Sequence, residues 1–298
     1  MSARITNKIF SAINGCLLLL ILIIIVYPLY YTVIASFSDP ELVVSGKVLL
    51  TIKKFTLDAY RNIVSNNSII IGYRNSILYT VIGTLYDLCL TIPAAYALSR
   101  KELKGRNFFM GIFVFTMYFS GGMIPQYMLI DRLNLIDTFW VMIIPSGLSV
   151  FNLIVARTYF NSNFSQELND AAKIDGCGEF GVFFRIVLPV SGAIIAVMSL
   201  YYAVGHWNSF FPALLYINDS KLYPLQLVLR NILVLNQTML MDIESLTTDQ
   251  VSLAVRLSYL AETMKYSLVF IASVPMLIAY PFVQKYFVKG VMVGAVKG

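Results

Sequence analysis

Charge is scarce in this chain. Charged residues make up 13% of its 298 residues, whereas hydrophobic residues make up 58%. A soluble domain of this size could not remove so much apolar surface from water, so the composition predicts an integral membrane protein. In such a protein the net charge of +6 reflects basic residues that orient membrane helices, and nothing indicates a nucleic-acid partner.

Histidine and cysteine, which form most metal sites and many nucleophilic centres, are also rare. The single histidine, His206, stands beside Trp207 and is interpreted as structural or interfacial. The three cysteines are scattered and too few for a disulfide framework. Because no acids, histidine and nucleophile cluster in the sequence, we assign no catalytic residue and no metal ligand. A membrane-embedded transferase, the alternative from another functional class, would need such a cluster.

Long apolar runs are what the chain has in abundance. Crossing the hydrocarbon core of a bilayer takes about 20 residues in a helix. Runs of this length fall near 16–37, 76–98, 108–129, 139–157, 187–206 and 265–283. The predicted fold class is therefore all-α, a polytopic membrane protein with six transmembrane helices. A self-sufficient carrier should show inverted repeats, and none is apparent.

Lysine and arginine predict the orientation of these helices. They are modestly enriched in the segments that lie inside when the N-terminus is cytoplasmic, and the loop 100–106 alone contains four. The first run is interpreted as a retained helix, since it lacks a convincing cleavage site. The predicted organisation is a cytoplasmic N-terminal segment 1–15, a transmembrane domain 16–283 with outer loops 38–75 and 207–264, and a cytoplasmic tail 284–298.

A spaced motif lies between the fourth and fifth runs. Its positions are occupied by Asp170, Ala171, Ala172, Gly176, Ile186, Leu188 and Pro189. The pattern resembles the coupling-loop signature of ABC-importer membrane subunits, written EAA, three residues, G, nine residues, I, one residue, LP. Every spacing agrees, and Asp170 keeps the charge of the usual Glu. A short helix over 166–174 is predicted, with Ser165 as N-cap and Gly176 at its end.

The resemblance implies a type I ABC importer fold, in which this coupling helix sits in a cleft of an ATPase subunit. Glu167, Asp170, Ala171, Ala172 and Gly176 would then carry that contact. The rest of the coupling loop 165–189, with Ile186, Leu188 and Pro189, would connect it to the fifth span. The chain would hold no cofactor and catalyse no reaction, because ATP and Mg would be bound by the partner ATPase.

Further segments narrow the resemblance to carbohydrate permeases. They are Ser120 to Tyr127, Trp207-Asn208, Tyr223 to Gln226, and the tail from Tyr286 to Gly298. Together they resemble the maltose-permease-like subunit of a heterodimer, nearest to permeases for complex or acidic oligosaccharides. In that family the tail reaches between the ATPases, which would involve Lys289, Gly290 and Gly294. Importers of other solutes, such as polyamines or phosphate, share the signature and stay open as an alternative.

The partners implied are a second homologous permease, two ATP-binding subunits and an extracellular binding protein, in the cytoplasmic (inner) membrane of a prokaryote. The substrate path is predicted from polar residues in apolar surroundings. Asp87 and Asn152 lie inside spans, where a polar group must face protein or a water-filled path. Trp207 and Asn208 follow the fifth run and are further candidates. For Asp87 and Asn152, polar contacts within the helix bundle are the alternative.

Overall fold

The computed structural model describes residues 2–164, 172, 174–241, 259–260, 263–281 and 284. All regular structure in this part of the chain is helical. The chain divides into two compact units. The first contains the described residues within Met1–Asn67 and Leu229–Val274, and the second those within Ser68–Val228 and Pro275–Gly298. The all-α fold class is thus confirmed for the described residues.

The α-helices are numbered here in chain order. They are α1 (Ser2–Ser36), α2 (Pro40–Val44), α3 (Asp58–Ser65), α4 (Asn67–Ser99), α5 (Arg106–Tyr118), α6 (Met123–Arg132), α7 (Val150–Asn163), α8 (Glu179–Val182), α9 (Leu188–Val190), α10 (Gly192–Trp207), α11 (Phe211–Tyr216), α12 (Leu225–Met241) and α13 (Thr263–Pro281). Short 3-10 turns are found at Phe139–Met142, Ile144–Ser146 and Ser220–Leu222, and a π-helical turn at Phe183–Val187.

Three continuous helices in the described residues are long and apolar enough to cross a membrane: α1 from Phe10 onward, α4 and α13. The other three predicted spans are broken. Helices α5 and α6 meet at 112°, Phe139–Ser146 and α7 at 51°, and Glu179–Val190 and α10 at 78°. If each bent pair is one span there are up to six, so the predicted count of six stays a prediction.

Local chemistry explains these breaks. Gly122 lies between α5 and α6 with φ +86°, a conformation that side chains with a Cβ rarely adopt. Ser149 has extended backbone and caps α7 by accepting a hydrogen bond from the backbone N–H of Asn152 at 3.4 Å. Ser191 ends α9, and its hydroxyl donates to the Val187 carbonyl at 2.6 Å. Each of these runs is continuously apolar in sequence, and each was therefore predicted as a single helix. The backbone of each run is interrupted by a bend.

The second unit has two apolar cores. One surrounds Leu153, Ala156 and Met198, none of which is accessible to solvent, where α4, α7 and α10 pack together. The other surrounds Tyr79 and Ile143. These cores fix α4 against α7 and α10, the three helices that supply most of the buried polar groups described below. The first unit packs around its own smaller cluster, which includes Ile34 and Val48.

Candidate functional site

A cavity of about 390 Å³ opens within the second unit, which is within the size range of small-ligand pockets. Residues of α4, α6, α7, α10 and α11 contribute to its walls. Its polar lining consists of Asp87, Gln126, Ser146, Ser149, Asn152, Tyr201, Tyr202, His206, Ser209 and Tyr216. Val141, Met142 and two prolines add apolar surface. Aromatic, amide and hydroxyl groups therefore converge on one space.

The centre of this lining is a buried pair between α4 and α10. Oδ2 of Asp87 lies 2.8 Å from Nε2 of His206, and Asp87 is 1% exposed. The His206 ring fits against Gly83, where an added Cβ would lie only 2.5 Å from the imidazole. Gly83 is therefore the residue that allows the ring to reach Asp87. The second carboxylate oxygen, Oδ1, is buried and has no hydrogen-bond partner among the described residues.

Asp87 belongs to a polar stripe along α4. Thr80, Thr84, Asp87 and Thr91 follow one another at spacings of four, three and four residues, which places them on one face of a helix. The hydroxyls of Thr80 and Thr84, like Oδ1 of Asp87, are buried without a partner in the part of the chain that is described. Since burying an unpaired polar group costs free energy, such a stripe favours contact with water or a polar ligand.

Tyr202 connects this stripe to α7. Its hydroxyl lies 2.6 Å from Oγ1 of Thr91 and accepts a hydrogen bond from the backbone N–H of Ser149 at 3.3 Å. Asn152 follows in the first turn of α7, where its buried side chain lines the cavity. The cap of α7 and the cavity wall are thus built from the same residues. A shift of α7 would change the cavity directly.

The cavity contains little charge. Asp87 is the only carboxylate and His206 the only basic side chain among the described residues that line it. Tyr216, the last residue of α11, adds a neutral hydroxyl. Burial, and then the neighbouring Tyr127, raises the pKa of Tyr216 above its ordinary value of 10.0, so the group stays protonated and able to donate.

The coupling motif is described in part. Glu167, Asp170, Ala171 and the tail residues Lys289, Gly290 and Gly294 lie outside the described residues. Ala172 and Ile174 are helical, and Gly176 has φ +81°. The Cys177 N–H donates to the Ala172 carbonyl at 2.9 Å, which is the long hydrogen bond of a Schellman helix end with glycine in the left-handed position. Gly176 thus ends the helix in the manner that its place in the motif predicts.

Beyond this turn the motif connects to the core. Ala172 is buried in the cluster around Leu153 and Ala156, and Ile186 and Leu188 pack against that cluster, whereas Pro189 is exposed. Ile186 lies in the π-helical turn, a feature that recurs at functional sites. Large apolar side chains on the same segment remain exposed, since Ile174 is 85% and Phe180 82% accessible. Exposed apolar surface of this kind marks a contact with another protein or with the membrane.

Residues 68–293 match the family described as "Binding-protein-dependent transport system inner membrane component". The chain belongs to this family. It is therefore the permease subunit of a binding-protein-dependent ABC importer, a membrane component that works with a binding protein and with ATPases. ATP hydrolysis is carried out by those separate subunits, so this chain is not an enzyme.

Relatives of this permease carry names of saccharide transport. It is 40% identical over 292 residues to the polygalacturonan/rhamnogalacturonan transport system permease protein YtcP of Bacillus subtilis, covering 98% of this chain and 99% of that one. It is 28% identical to the arabinooligosaccharides transport system permease protein AraQ of Halalkalibacterium halodurans, over 99% of each chain.

A solved structure supports the fold. A chain in the crystal structure of a bacterial ABC transporter involved in the import of the acidic polysaccharide alginate aligns with a TM-score of 0.84 and 30% identity. The alignment covers 95% of this permease and 98% of that chain. The type I importer fold is therefore confirmed, and the sequence resemblance named the right family.

The structure brings together some of the predicted path residues and separates others. Asp87 and Asn152 line one cavity, whereas Trp207 and Asn208 are not part of its lining. Trp207 is buried edge-on against Tyr73, and the amide of exposed Asn208 donates to the Val204 carbonyl. Sequence reasoning missed His206 as the partner of Asp87. The spacing of polar residues along α4 was the signal that could have pointed to this face.

Proposed function

We propose that this permease forms one half of a heterodimeric pathway that imports an oligosaccharide by alternating access. An extracellular binding protein would deliver the sugar, and two ATPases, binding ATP and Mg, would drive the cycle. Both termini and the 165–189 loop would be cytoplasmic. The observation that carries the saccharide assignment is the cavity, because tyrosine rings, amides and hydroxyls around a largely apolar space are the groups that bind sugars.

The names of the relatives support the same substrate class. One is a permease for polygalacturonan or rhamnogalacturonan and another for arabinooligosaccharides, and the solved transporter imports alginate. What these proteins have in common is a saccharide with many hydroxyls. The lining of the cavity offers acceptors in Asp87 and donors in Asn152 and Tyr216, which match hydroxyl groups that both donate and accept.

Coupling is assigned to the motif segment. Exposed Ile174 and Phe180 would contact the ATPase together with Glu167, Asp170 and Ala171, while buried Ala172 transmits the movement to the core. In this mechanism ATPase closure moves the coupling helix as a rigid piece, because Gly176 fixes the direction of the chain that follows. The tail with Lys289, Gly290 and Gly294 would add a second ATPase contact.

Uptake by proteoliposomes tests this proposal. Vesicles contain either the complete complex or this permease alone, and a labelled oligogalacturonate mixture, an arabinooligosaccharide mixture, phosphate and spermidine are offered with the binding protein. We expect saccharide uptake only with the complete complex and internal ATP. Uptake by the permease alone would contradict an ATP-driven importer, and uptake of phosphate or spermidine instead of saccharide would contradict the substrate class.

A further inference from the structure

We propose that the cavity in this subunit receives an uncharged glycosyl unit, with Oδ1 of Asp87 accepting a hydrogen bond from a sugar hydroxyl. This inference rests on the proposed function and sharpens it. It states that the glycosyl unit in the cavity is uncharged and that Asp87 is the residue that selects this unit. Any uronate carboxylate on the substrate must then be held elsewhere in the complex.

The first step concerns the free carboxylate oxygen. His206 occupies Oδ2 of Asp87 at 2.8 Å, whereas Oδ1 is buried and has no partner among the described residues. Asp87 is one of the residues that line the cavity. A buried carboxylate oxygen without a donor is costly, and a hydrogen bond to a charged group is stronger than one between neutral groups. A hydroxyl placed in the cavity would supply the missing donor.

The second step concerns charge. Apart from His206, whose Nε2 is already committed to Asp87, no basic side chain lines the cavity in the described part of the chain. The pair is neutral overall when His206 is protonated and carries one negative charge when it is not. A carboxylate entering this space would find no free cation and would lie near the Asp87 carboxylate. The free-energy cost of removing that carboxylate from water would therefore not be offset by an ion pair.

The third step concerns the rest of the lining. Asn152, Ser209 and the protonated Tyr216 hydroxyl can each donate and accept, which suits sugar hydroxyls. The His206 ring lies close against Gly83 and contacts Oδ2 of Asp87 at 2.8 Å, so the Asp87 carboxylate is oriented by this contact before a ligand arrives. A preorganised acceptor loses less free energy on binding than a mobile one. The site is therefore selective for hydroxyls rather than merely polar.

The test uses one sugar chain in two charge states, the trisaccharide of galacturonic acid and its full methyl ester. The complete transporter is reconstituted in nanodiscs with Cys16, Cys89 and Cys177 replaced by alanine and with Ser146→Cys as a reporter in the cavity wall. Protection of the introduced thiol from a small water-soluble reagent is measured against the concentration of each trisaccharide. We expect the ester to protect at a concentration at least about tenfold lower than the acid.

Two substitutions assign the effect. Asp87→Asn should weaken protection by the ester about tenfold and reduce the difference between ester and acid, because the charged acceptor is lost. Asp131→Asn, at an exposed carboxylate on α6 that does not line the cavity, should change neither value. Size-exclusion chromatography confirms that each variant complex is assembled.

Protection by the acid at an equal or lower concentration, or no protection by the ester, would overturn the inference. So would an Asp87→Asn variant that behaves like the parent. ATP-driven saccharide uptake by the same transporter, reconstituted in proteoliposomes, is measured in parallel. If uptake persists while the thiol-protection results contradict the inference, only the assignment of the cavity fails. If no saccharide is taken up at all, the proposed function fails first.

Discussion

The cavity and the coupling segment of the same unit expose opposite kinds of groups. In the cavity, polar groups are buried, and Oδ1 of Asp87 is left without a partner. On the coupling segment, large apolar side chains such as Ile174, Phe180 and Phe184 are exposed. Each arrangement costs free energy in the isolated chain, and each is relieved by a different partner. A polar ligand or water would satisfy the first, and in the proposed coupling mechanism a protein surface would cover the second.

Glycine has a different purpose in each region. Gly176 is needed for its backbone, since its φ is +81° while an added Cβ would meet nothing within 4 Å. Gly83 is needed for space, because an added Cβ would lie 2.5 Å from His206. One glycine directs a chain segment and the other makes room for a side chain. Substitutions at these two positions should therefore fail in different ways.

The largest expected effect is on coupling. Gly176→Val places a β-branched residue at positive φ, where L-residues pay about 1–2 kcal/mol or more, so the helix end should be lost. We expect substrate-stimulated ATPase activity of the reconstituted complex to fall by about tenfold or more, with normal membrane insertion. Gly178→Val is the matched control, because Gly178 also has open space for a Cβ but its φ is −69°. Equal activity in the two variants would mean that this turn does not transmit the movement.

The second effect is on stability at the cavity. Gly83→Ala should displace the His206 ring and break its contact with Asp87, because overpacking of a close contact costs about 1–3 kcal/mol. We expect a lower midpoint of thermal unfolding for the purified complex and weaker saccharide uptake. Gly111→Ala on α5, where an added Cβ meets nothing within 4 Å, should leave both unchanged. A Gly83→Ala variant as stable as the parent would show that the ring can shift at no cost.

A third, smaller effect tests the exposed apolar side chains. Phe180→Ser should leave folding of the permease unchanged, because the ring is 82% accessible. It should weaken binding of the ATPase by about fivefold to tenfold, as expected when an aromatic contact of more than about 1 kcal/mol is removed. The measurement is a titration of ATPase onto the permease pair in nanodiscs. Phe55→Ser, at a similarly exposed ring in the first unit, is the control.

How much the sequence could predict differs between the two regions. The coupling motif is local, so its residue types predicted a helix end at Gly176, and the observed φ and the Cys177 to Ala172 hydrogen bond agree with it. The cavity depends on pairing across 119 residues between Asp87 and His206. Sequence reasoning found that Asp87 must face protein or a path, because a carboxylate in an apolar helix has no other place. It could not find the partner, since composition does not say which helix faces meet.

The broken spans illustrate the same limit. Hydropathy is averaged over a window of residues and does not detect a bend of the backbone. The run 108–129 was therefore predicted as one span. The structure bends it by 112° at Gly121 and Gly122. The two glycines were visible in the sequence, but a glycine pair permits a bend without requiring one. Hydropathy alone therefore does not say whether the chain bends there.

The smallest expected effect tests whether the hydrogen bond between Thr91 and Tyr202 supports only the fold or also shapes the cavity. Thr91→Val removes the 2.6 Å hydrogen bond to the Tyr202 hydroxyl with almost no change of shape, and such a bond contributes about 0.5–1.5 kcal/mol. We expect a small loss of thermal stability and, because Tyr202 also accepts from the Ser149 N–H at the cap of α7, a modest decrease in saccharide uptake. Thr158→Val, at a hydroxyl that donates only to the Ile154 carbonyl of its own helix, is the control. If Thr91→Val alters uptake no more than Thr158→Val does, the contact between α4 and α10 supports the fold without shaping the site.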